Sequence, residues 1–282
     1  MAPVIISDPA QILALVHQQK HVGKRVGLVP TMGALHAGHL SLVRKSTEET
    51  DFTVVTIFVN PTQFGPGEDL NKYPRNLEQD VQLLAGYNVD AIFAPNADTM
   101  YPPGSSTGVL PPQVASPFEG RLRPGHFEGV ATIVLKLFQL IPADVSFFGQ
   151  KDYQQTRVIG QMIEDFNIPV EMIVCPIVRE DDGLAMSSRN AYLSPKERTR
   201  AVALSRALFG IKKQVEGGEY SSSILLSAAN QILADASVDQ IDYVALVDKH
   251  DLSPVDKVTC NTIAIAAVYI GQTRLIDNMI LS

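Results

Sequence analysis

The sequence predicts a parallel α/β sheet covered by helices on both faces, followed by a smaller α+β domain. Three observations carry this reading. From about residue 26 to 176, short apolar runs alternate with longer stretches whose apolar residues recur every three or four positions. The short runs are apolar throughout, as strands buried on both faces are. After about residue 180 the order changes to one long helical pattern followed by strand patterns.

VGLVP (26–30) is the first strand candidate, and FTVVTIFVN (52–60), rich in β-branched residues, is the second. NLEQDVQLLAGYN (76–88) predicts a helix, with Asn76 as N-cap, Leu77, Val81 and Leu84 on one face, and Gly86 near the end. DAIFAP (90–95), DVSFFG (144–149) and VEMIVCP (170–176) read as further strands. Between the last three lie two helical patterns. HFEGVATIVLKLFQLI (126–141) carries Val130, Val134, Leu137 and Phe138 at helical spacing; YQQTRVIGQMIEDF (153–166) carries Val158, Met162 and Phe166. Repeated strand–helix–strand units imply parallel pairing, and ligands of such sheets lie beyond the carboxyl ends of the strands. SPKERTRAVALSRALFGIKKQVEGG (194–218) opens with a capping box, Ser194 and Glu197 around Pro195. Leu204, Leu208, Ile211 and Val215 form its stripe, and Gly217–Gly218 end it. QIDYVALVD, NTIAIAAVYI and TRLIDNMIL then read as strands. The polar, glycine-containing IVREDDGLAMSSRN marks the boundary, so the expected domains are 1–178 and 179–282.

At 282 residues and 45% hydrophobic content, the chain has enough apolar side chains for two cores. A net charge of −7 argues against a nucleic-acid partner, which asks for a basic face. Cys175 and Cys260 are far apart and suggest neither a zinc knuckle nor a disulfide framework, but partly buried thiols in a reducing compartment. The opening MAPVIISDPAQ has no basic start and too short an apolar run for a signal peptide. The longest apolar run, IAIAAVYI, is far below the roughly 20 residues a membrane helix needs. A cytoplasmic protein with no membrane partner is the expectation.

The chemistry concentrates in TMGALHAGHLSLV (31–43). If VGLVP is a strand and HLSLVRKS begins a helix, His36, Gly38 and His39 lie at a helix N-terminus, where backbone N–H groups and the helix dipole attract anions. Side chains three apart share a helix face, so both imidazoles reach one ligand. Gly38 lets a flat base or a phosphate approach the backbone. The stretch is neither G-x-G-x-x-G nor a P-loop. It lacks a third metal ligand at useful spacing, so no protein-bound metal is expected.

H-x-G-H after a first strand resembles the nucleotidyltransferase superfamily that includes class I aminoacyl-tRNA synthetases, and MSSRN (186–190) stands where that superfamily has a basic, serine-rich phosphate loop. Three more stretches sharpen the likeness: NPTQFGPGEDLNKYPR (60–75), RPGHFEGVATIVLKLF (123–138) and FFGQKDYQQ (147–155). Together these blocks resemble the pantothenate synthetase (pantoate–β-alanine ligase) family from about residue 26 to 195. One departure is Gln150, where the family usually has glutamate before the lysine.

The resemblance implies a Rossmann-like catalytic domain that binds ATP and pantoate, a smaller carboxyl-terminal lid domain, and a homodimer. It implies two steps. The pantoate carboxylate attacks the α-phosphate of ATP, giving pantoyl adenylate and pyrophosphate. The amine of β-alanine then attacks the acyl carbon, giving pantothenate and AMP. Two anions must meet in the first step, so fixed donors aimed at the developing charge are expected. His39 is then the main catalytic donor, with His36 beside it. Lys151, Ser187, Ser188 and Arg189 hold the β- and γ-phosphates, Lys151 and Arg189 as catalytic cations. Met32, Gly33, Ala34, Leu35, His36, Ala37, Gly38 and His39 line the adenine and phosphate path. Gly149, Gln150, Lys151 and Asp152 cover the ribose and phosphates, Val178 presents backbone to the adenine edge, and Met186 belongs to the phosphate loop. Pantoate is small, branched and hydroxylated. Its expected contacts are Gln63 and Gln155, with Asn60 shaping the strand end and Val130, Ile133 and Val134 as an apolar wall. Plain helix packing is the competing reading for those three. Mg²⁺ is expected with the ATP phosphates and needs few protein ligands; Asp80 is read as an indirect contact or a solvated helix residue. FGPGEDLNKYPR reads as a lid or an ordered turn. The rivals are a nucleotidyltransferase that moves AMP to a phosphate acceptor and a non-catalytic nucleotide-binding module.

Overall fold

A computed structural model describes residues 3–281. The chain divides into two compact units, the first running to Gly149 and resuming over Gln154–Pro176, the second made of Gln150–Tyr153 and the chain from Ile177 on.

The first unit holds, in order, β1 (Val4–Ile6), α1 (Pro9–His21), β2 (Val26–Thr31), α2 (Ala37–Glu49), β3 (Phe52–Ile57), α3 (Leu77–Leu84), β4 (Ala91–Phe93), two single-turn helices α4 (Ala97–Met100) and α5 (Glu119–Leu122), α6 (His126–Leu140), β5 (Val145–Gly149), α7 (Tyr153–Asp165) apart from its first residue, and β6 (Glu171–Cys175). The six strands form one parallel sheet in the order β1-β4-β3-β2-β5-β6. The reason for uniformly apolar strands is visible in the packing. Leu28, Val54, Phe93 and Phe148 enter one core with residues of α1, α6 and α7; their chain neighbours Val29, Val55, Ile92 and Phe147 enter a second core with residues of α2 and α3. Successive side chains of a strand point to opposite faces, so a sheet covered on both needs apolar residues at every position. Each such side chain contributes roughly 1.5–3 kcal/mol.

The strand order reverses beside β2. The chain steps from β2 to β3 and β4 on one side, then returns to place β5 on the other, paired through Gly27↔Val145 and Leu28↔Ser146. Parallel sheets bind ligands at the carboxyl edge of such a switch point. The turn after Thr31 and the strand-ending Gly149 both stand on that edge.

The second unit contains α8 (Pro195–Glu216), α9 (Ser222–Asp235) and an antiparallel sheet of β7 (Gln240–Asp248), β8 (Thr262–Ile270) and β9 (Thr273–Ile280) in chain order. Leu204, Leu208 and Ile211 of α8 meet Leu225, Ala229 and Leu233 of α9 and Val268 and Leu275 of the sheet. The Ser194–Glu197 capping box is present.

Three details correct the sequence reading. Leu77 and Phe166 are exposed rather than on the apolar stripes, because α3 begins at Leu77 and α7 ends at Asp165. Cys260 is exposed, while Cys175 is buried. The sequence reading also passed over β1, α1 and α9, although Asp8 caps α1 by accepting from Gln11 N and Pro9 opens it.

Candidate active site

The turn from β2 into α2 is held from below. Thr31 Oγ1 donates to Thr56 O at 2.6 Å and accepts from Gly33 N at 3.2 Å. Gly33 has φ +83°, and a Cβ there would stand 2.8 Å from Asp80 Oδ2 and 3.0 Å from Ile57 Cγ2, so both backbone and space require glycine. Asp80 is not a solvated helix residue. It is 3% exposed, and its two oxygens accept from Ala34 N (3.0 Å) and Leu35 N (2.8 Å). Burial pushes its carboxyl up against the pull of those amides. The expectation of a row of backbone donors open to an anion therefore needs correcting: the amides of Ala34 and Leu35 bind Asp80, and that of Gly38 binds His36.

His36 is the N-cap of α2, its Nδ1 accepting from Gly38 N at 3.1 Å. His39, three residues on, accepts from His36 N through Nδ1 at 3.4 Å. The pair forms a capping box built from imidazoles, with ring centroids 4.1 Å apart. An Nδ1 that accepts leaves the proton of a neutral ring on Nε2. Both rings are thereby set as Nε2–H donors at the carboxyl edge of the sheet.

Asn60 caps the 3₁₀ turn Pro61–Gln63 just after β3. Its Nδ2 donates to Gln63 Oε1 and Gly129 O, both at 3.1 Å, and its Oδ1 accepts from Tyr101 OH at 2.9 Å. Gln63, 9% exposed, is therefore no solvated amide; its Nε2 reaches Met32 Sδ at 3.3 Å. Helix α6 touches the same turn through Gly129, where a Cβ would lie 2.4 Å from Thr62 O. Val130, Ile133 and Val134 are 2–5% exposed and belong to the core between α6 and the sheet. Gln155 is half-buried on α7, beside Gln154, whose amide is committed to Glu119 N, Val114 O and Pro117 O.

His126, at the start of α6, was not singled out from the sequence. Its Nδ1–H donates to Gln63 O at 2.8 Å, because Arg123 Nη1, which only donates, meets Nε2 at 3.0 Å. Arg123 also forks onto Glu68 at 2.6 and 2.9 Å, an ion pair that outweighs burial and holds the Glu68 carboxyl low. The FGPGEDLNKYPR stretch is thus anchored, with Tyr73 buried against Phe64. Burial, and then Arg123, lower His126 to about 4. A histidine that binds its proton less readily folded than unfolded adds stability that is complete above pH 6.5 and lost as pH falls toward 4. Urea unfolding at pH 7 and pH 5 is expected to differ by about 2 kcal/mol, and His126→Asn should flatten that difference. An equal slope in the variant would show that His126 is not its source.

The remaining candidates lie in the second unit. Met186 N donates to Val178 O at 3.0 Å, and Arg179 pairs with Ala185 across the turn at Gly183. Ser187 caps the 3₁₀ turn Ser188–Tyr192, accepting from Arg189 N at 3.3 Å. Asn190 ties this turn to Ala185 O and Glu180, so MSSRN is a folded turn and not an extended linker. Gln150, Lys151 and Asp152 form a 3₁₀ turn pinned by Asn278 of β9. Gln150 Nε2 donates to Asn278 Oδ1 at 3.0 Å, a bond that a carboxylate is unable to donate. Lys151 Nζ lies 3.6 Å from Asp152 Oδ1. Arg179 connects the two turns by donating to Asp277 (2.7 and 3.0 Å) and Asn278 O (3.3 Å). The sequence reading carried Asp277 and Asn278 only within QTRLIDN, a block compatible with the resemblance but less diagnostic, and gave Arg179 no role, because the bonds that join Arg179 to Asp277 and Asn278 to the 150–152 turn span about 100 residues or more.

Among the described residues, no group of three or more His, Cys, Asp or Glu side chains is gathered as a metal cage, and no helix is long and apolar enough to cross a membrane. The profile of the family described as pantoate-beta-alanine ligase matches residues 4–280. The pantothenate synthetase of Roseiflexus castenholzii is 55% identical over 256 residues, covering 91% of this chain and 92% of the relative. That of Sulfurihydrogenibium sp. is 49% identical over 276 residues, with 98% and 99% covered. The crystal structure of pantothenate synthetase from Thermus thermophilus superposes with a TM-score of 0.94 at 42% identity, covering 99% of both chains. That of pantoate-beta-alanine ligase from Francisella tularensis, complexed with beta-gamma ATP and beta-alanine, gives 0.82 at 35% identity, covering 99% and 98%.

Proposed function

We propose that this chain, which belongs to the pantoate-beta-alanine ligase family, condenses pantoate with β-alanine at the expense of ATP through a pantoyl adenylate. The observation that carries the reading is the imidazole pair at the switch-point edge, each ring locked by its Nδ1 into the Nε2–H form. Donors fixed before reaction stabilise charge that develops on phosphoryl oxygens without reorganising. His39 is the main donor to the α-phosphate and His36 its neighbour. Met32–His39 line the nucleotide's path, with Asp80 fixing the backbone of that turn. Lys151, Ser187, Ser188 and Arg189 take the β- and γ-phosphates, with Met186 in the same phosphate loop; Gly149, Gln150 and Asp152 the ribose side; Val178 the adenine.

Mg²⁺ accompanies ATP in this reading. The hydroxyl, ammonium and guanidinium groups of this chain suit phosphate oxygens, and both oxygens of Asp80 are already committed, so the ion binds through phosphate and water and neutralises charge there. The chain works in the cytoplasm as a homodimer, residues 1–178 binding ATP and pantoate and 179–282 forming the smaller domain.

Gln63 and Gln155 bind pantoate. Gln63 Nε2 rests on a thioether, a weak acceptor that a hydroxyl or carboxylate oxygen displaces readily. Gln63→Ala is expected to weaken pantoate binding about tenfold or more, as loss of charge-assisted bonding does, while ATP binding persists. Calorimetry showing the reverse would relocate the pantoate site. The reaction itself is tested by exchange of labelled pyrophosphate into ATP without β-alanine. Pantoate-dependent exchange is expected. Pyrophosphate release that needs a phosphate acceptor would favour a simple nucleotidyltransferase.

A further inference from the structure

Asn278 is buried, 2% exposed, and every hydrogen-bonding atom of its amide is used on one short stretch of chain. Nδ2 donates to Gln150 O at 2.9 Å and to Lys151 O at 3.0 Å. Oδ1 accepts from Gln150 Nε2 at 3.0 Å. The orientation is unambiguous, because a flipped amide would set oxygen against two carbonyl oxygens and nitrogen against nitrogen. The main chain of Asn278 is itself held: its N–H donates to Asp277 Oδ1 at 2.7 Å and its carbonyl accepts from Arg179. Consecutive carbonyls of the 150–152 turn are thus fixed to one rigid strand, β9.

We propose that Asn278 is a positioning residue for ATP: its amide fixes the backbone of Gln150 and Lys151, and so aims the Lys151 ammonium at the phosphates. The inference rests on the reading that Lys151 binds ATP. A flexible lysine stem loses much conformational freedom on binding, and a fixed root lowers that loss. Asn278 touches no substrate in this scheme. It acts through the position of its neighbours.

The test is Asn278→Asp, which keeps size and shape but removes both donations to carbonyls and sets negative charge beside them. The readout is pantoate-dependent exchange of labelled pyrophosphate into ATP, with Lys151→Ala and the double variant assayed in parallel. Asn278→Asp is expected to raise the KM for ATP roughly tenfold, with kcat reduced less and pantoate affinity by calorimetry within about twofold. In the Lys151→Ala background it should add little, because the group it positions is gone. A KM for ATP within about twofold of the parent would overturn the inference while Lys151→Ala remained impaired. So would additive effects in the double variant, which mark general damage. An unchanged KM for ATP in Lys151→Ala would instead overturn the reading beneath the inference, and the inference with it. Should Asn278→Asp fail to fold, Asn278→Ala, which removes the same bonds to Gln150 and Lys151 without adding charge, is read on the same scale, a several-fold rise in the KM for ATP being expected and none overturning the proposal.

Discussion

His39→Ala is expected to slow formation of the acyl adenylate by roughly 10²-fold or more, the loss that follows removal of one fixed donor from developing phosphoryl charge. The substitution deletes the Nε2–H donor and one arm of the imidazole capping box. It leaves His36 accepting from Gly38 N, so the start of α2 keeps its cap, and the stability cost stays near 1 kcal/mol or below. Activity and stability are therefore predicted to separate. The KM for ATP should move little, because a donor that acts on charge developing in the reaction lowers kcat and kcat/KM together. His36→Ala inverts the balance: it removes the N-cap, so destabilisation accompanies the loss of rate. Pyrophosphate exchange and urea unfolding measured on the same preparations check both. Near-normal exchange in folded His39→Ala protein would take His39 out of the catalytic role.

The sequence disclosed those parts of the molecule whose physics is local. Strands buried on both faces had to be apolar without interruption, and VGLVP, FTVVTI and VSFFG are strands. The Ser194–Glu197 box starts α8 because its partners are three residues apart. His36 and His39 meet for the same reason. Asp80 was misread because amphipathic periodicity marks it only as a polar position on α3. Its buried carboxylate is explained by backbone amides 45 and 46 residues upstream, a relation that no window of sequence contains. His126, Arg123 and Glu68 escaped notice likewise: within RPGHF the histidine looks like an ordinary helix start, and only the fold brings it to the carbonyl of Gln63. Asn278 and Asp277 lie in a stretch read as a strand and, within QTRLIDN, as compatible with the resemblance, with no role given to either residue. Their importance comes from a turn more than 120 residues earlier and an arginine about 100 residues earlier.

Asp277→Ala is expected to destabilise the protein by about 3–5 kcal/mol, the cost of leaving a buried charge without its partner. Arg179 places both Nη atoms on the Asp277 carboxylate, whose side chain is fully buried. Without it the guanidinium keeps, among the described residues, the carbonyls of Gly183 and Asn278 and the face of Phe209. Burial pushes the Asp277 carboxyl up in spite of Arg179. The intact pair is expected to contribute little net stability, because the cost of desolvating two buried charges offsets most of their attraction. Removing both charges should accordingly restore most of what removing one destroys. Arg179→Met/Asp277→Leu is expected to unfold in urea much closer to the parent than Asp277→Ala does, the signature of a pair whose members are costly only when separated. Stability and activity should then part again, because the Arg179 guanidinium also holds the carbonyls of Asn278 and of Gly183, in the turn that leads to Ser187–Arg189. The restored double variant should still show a raised KM for ATP. A single Asp277→Ala substitution costing less than about 1 kcal/mol would mean that Arg179 finds water or another partner, and that the pair does not anchor β9 to the turn at Gly183.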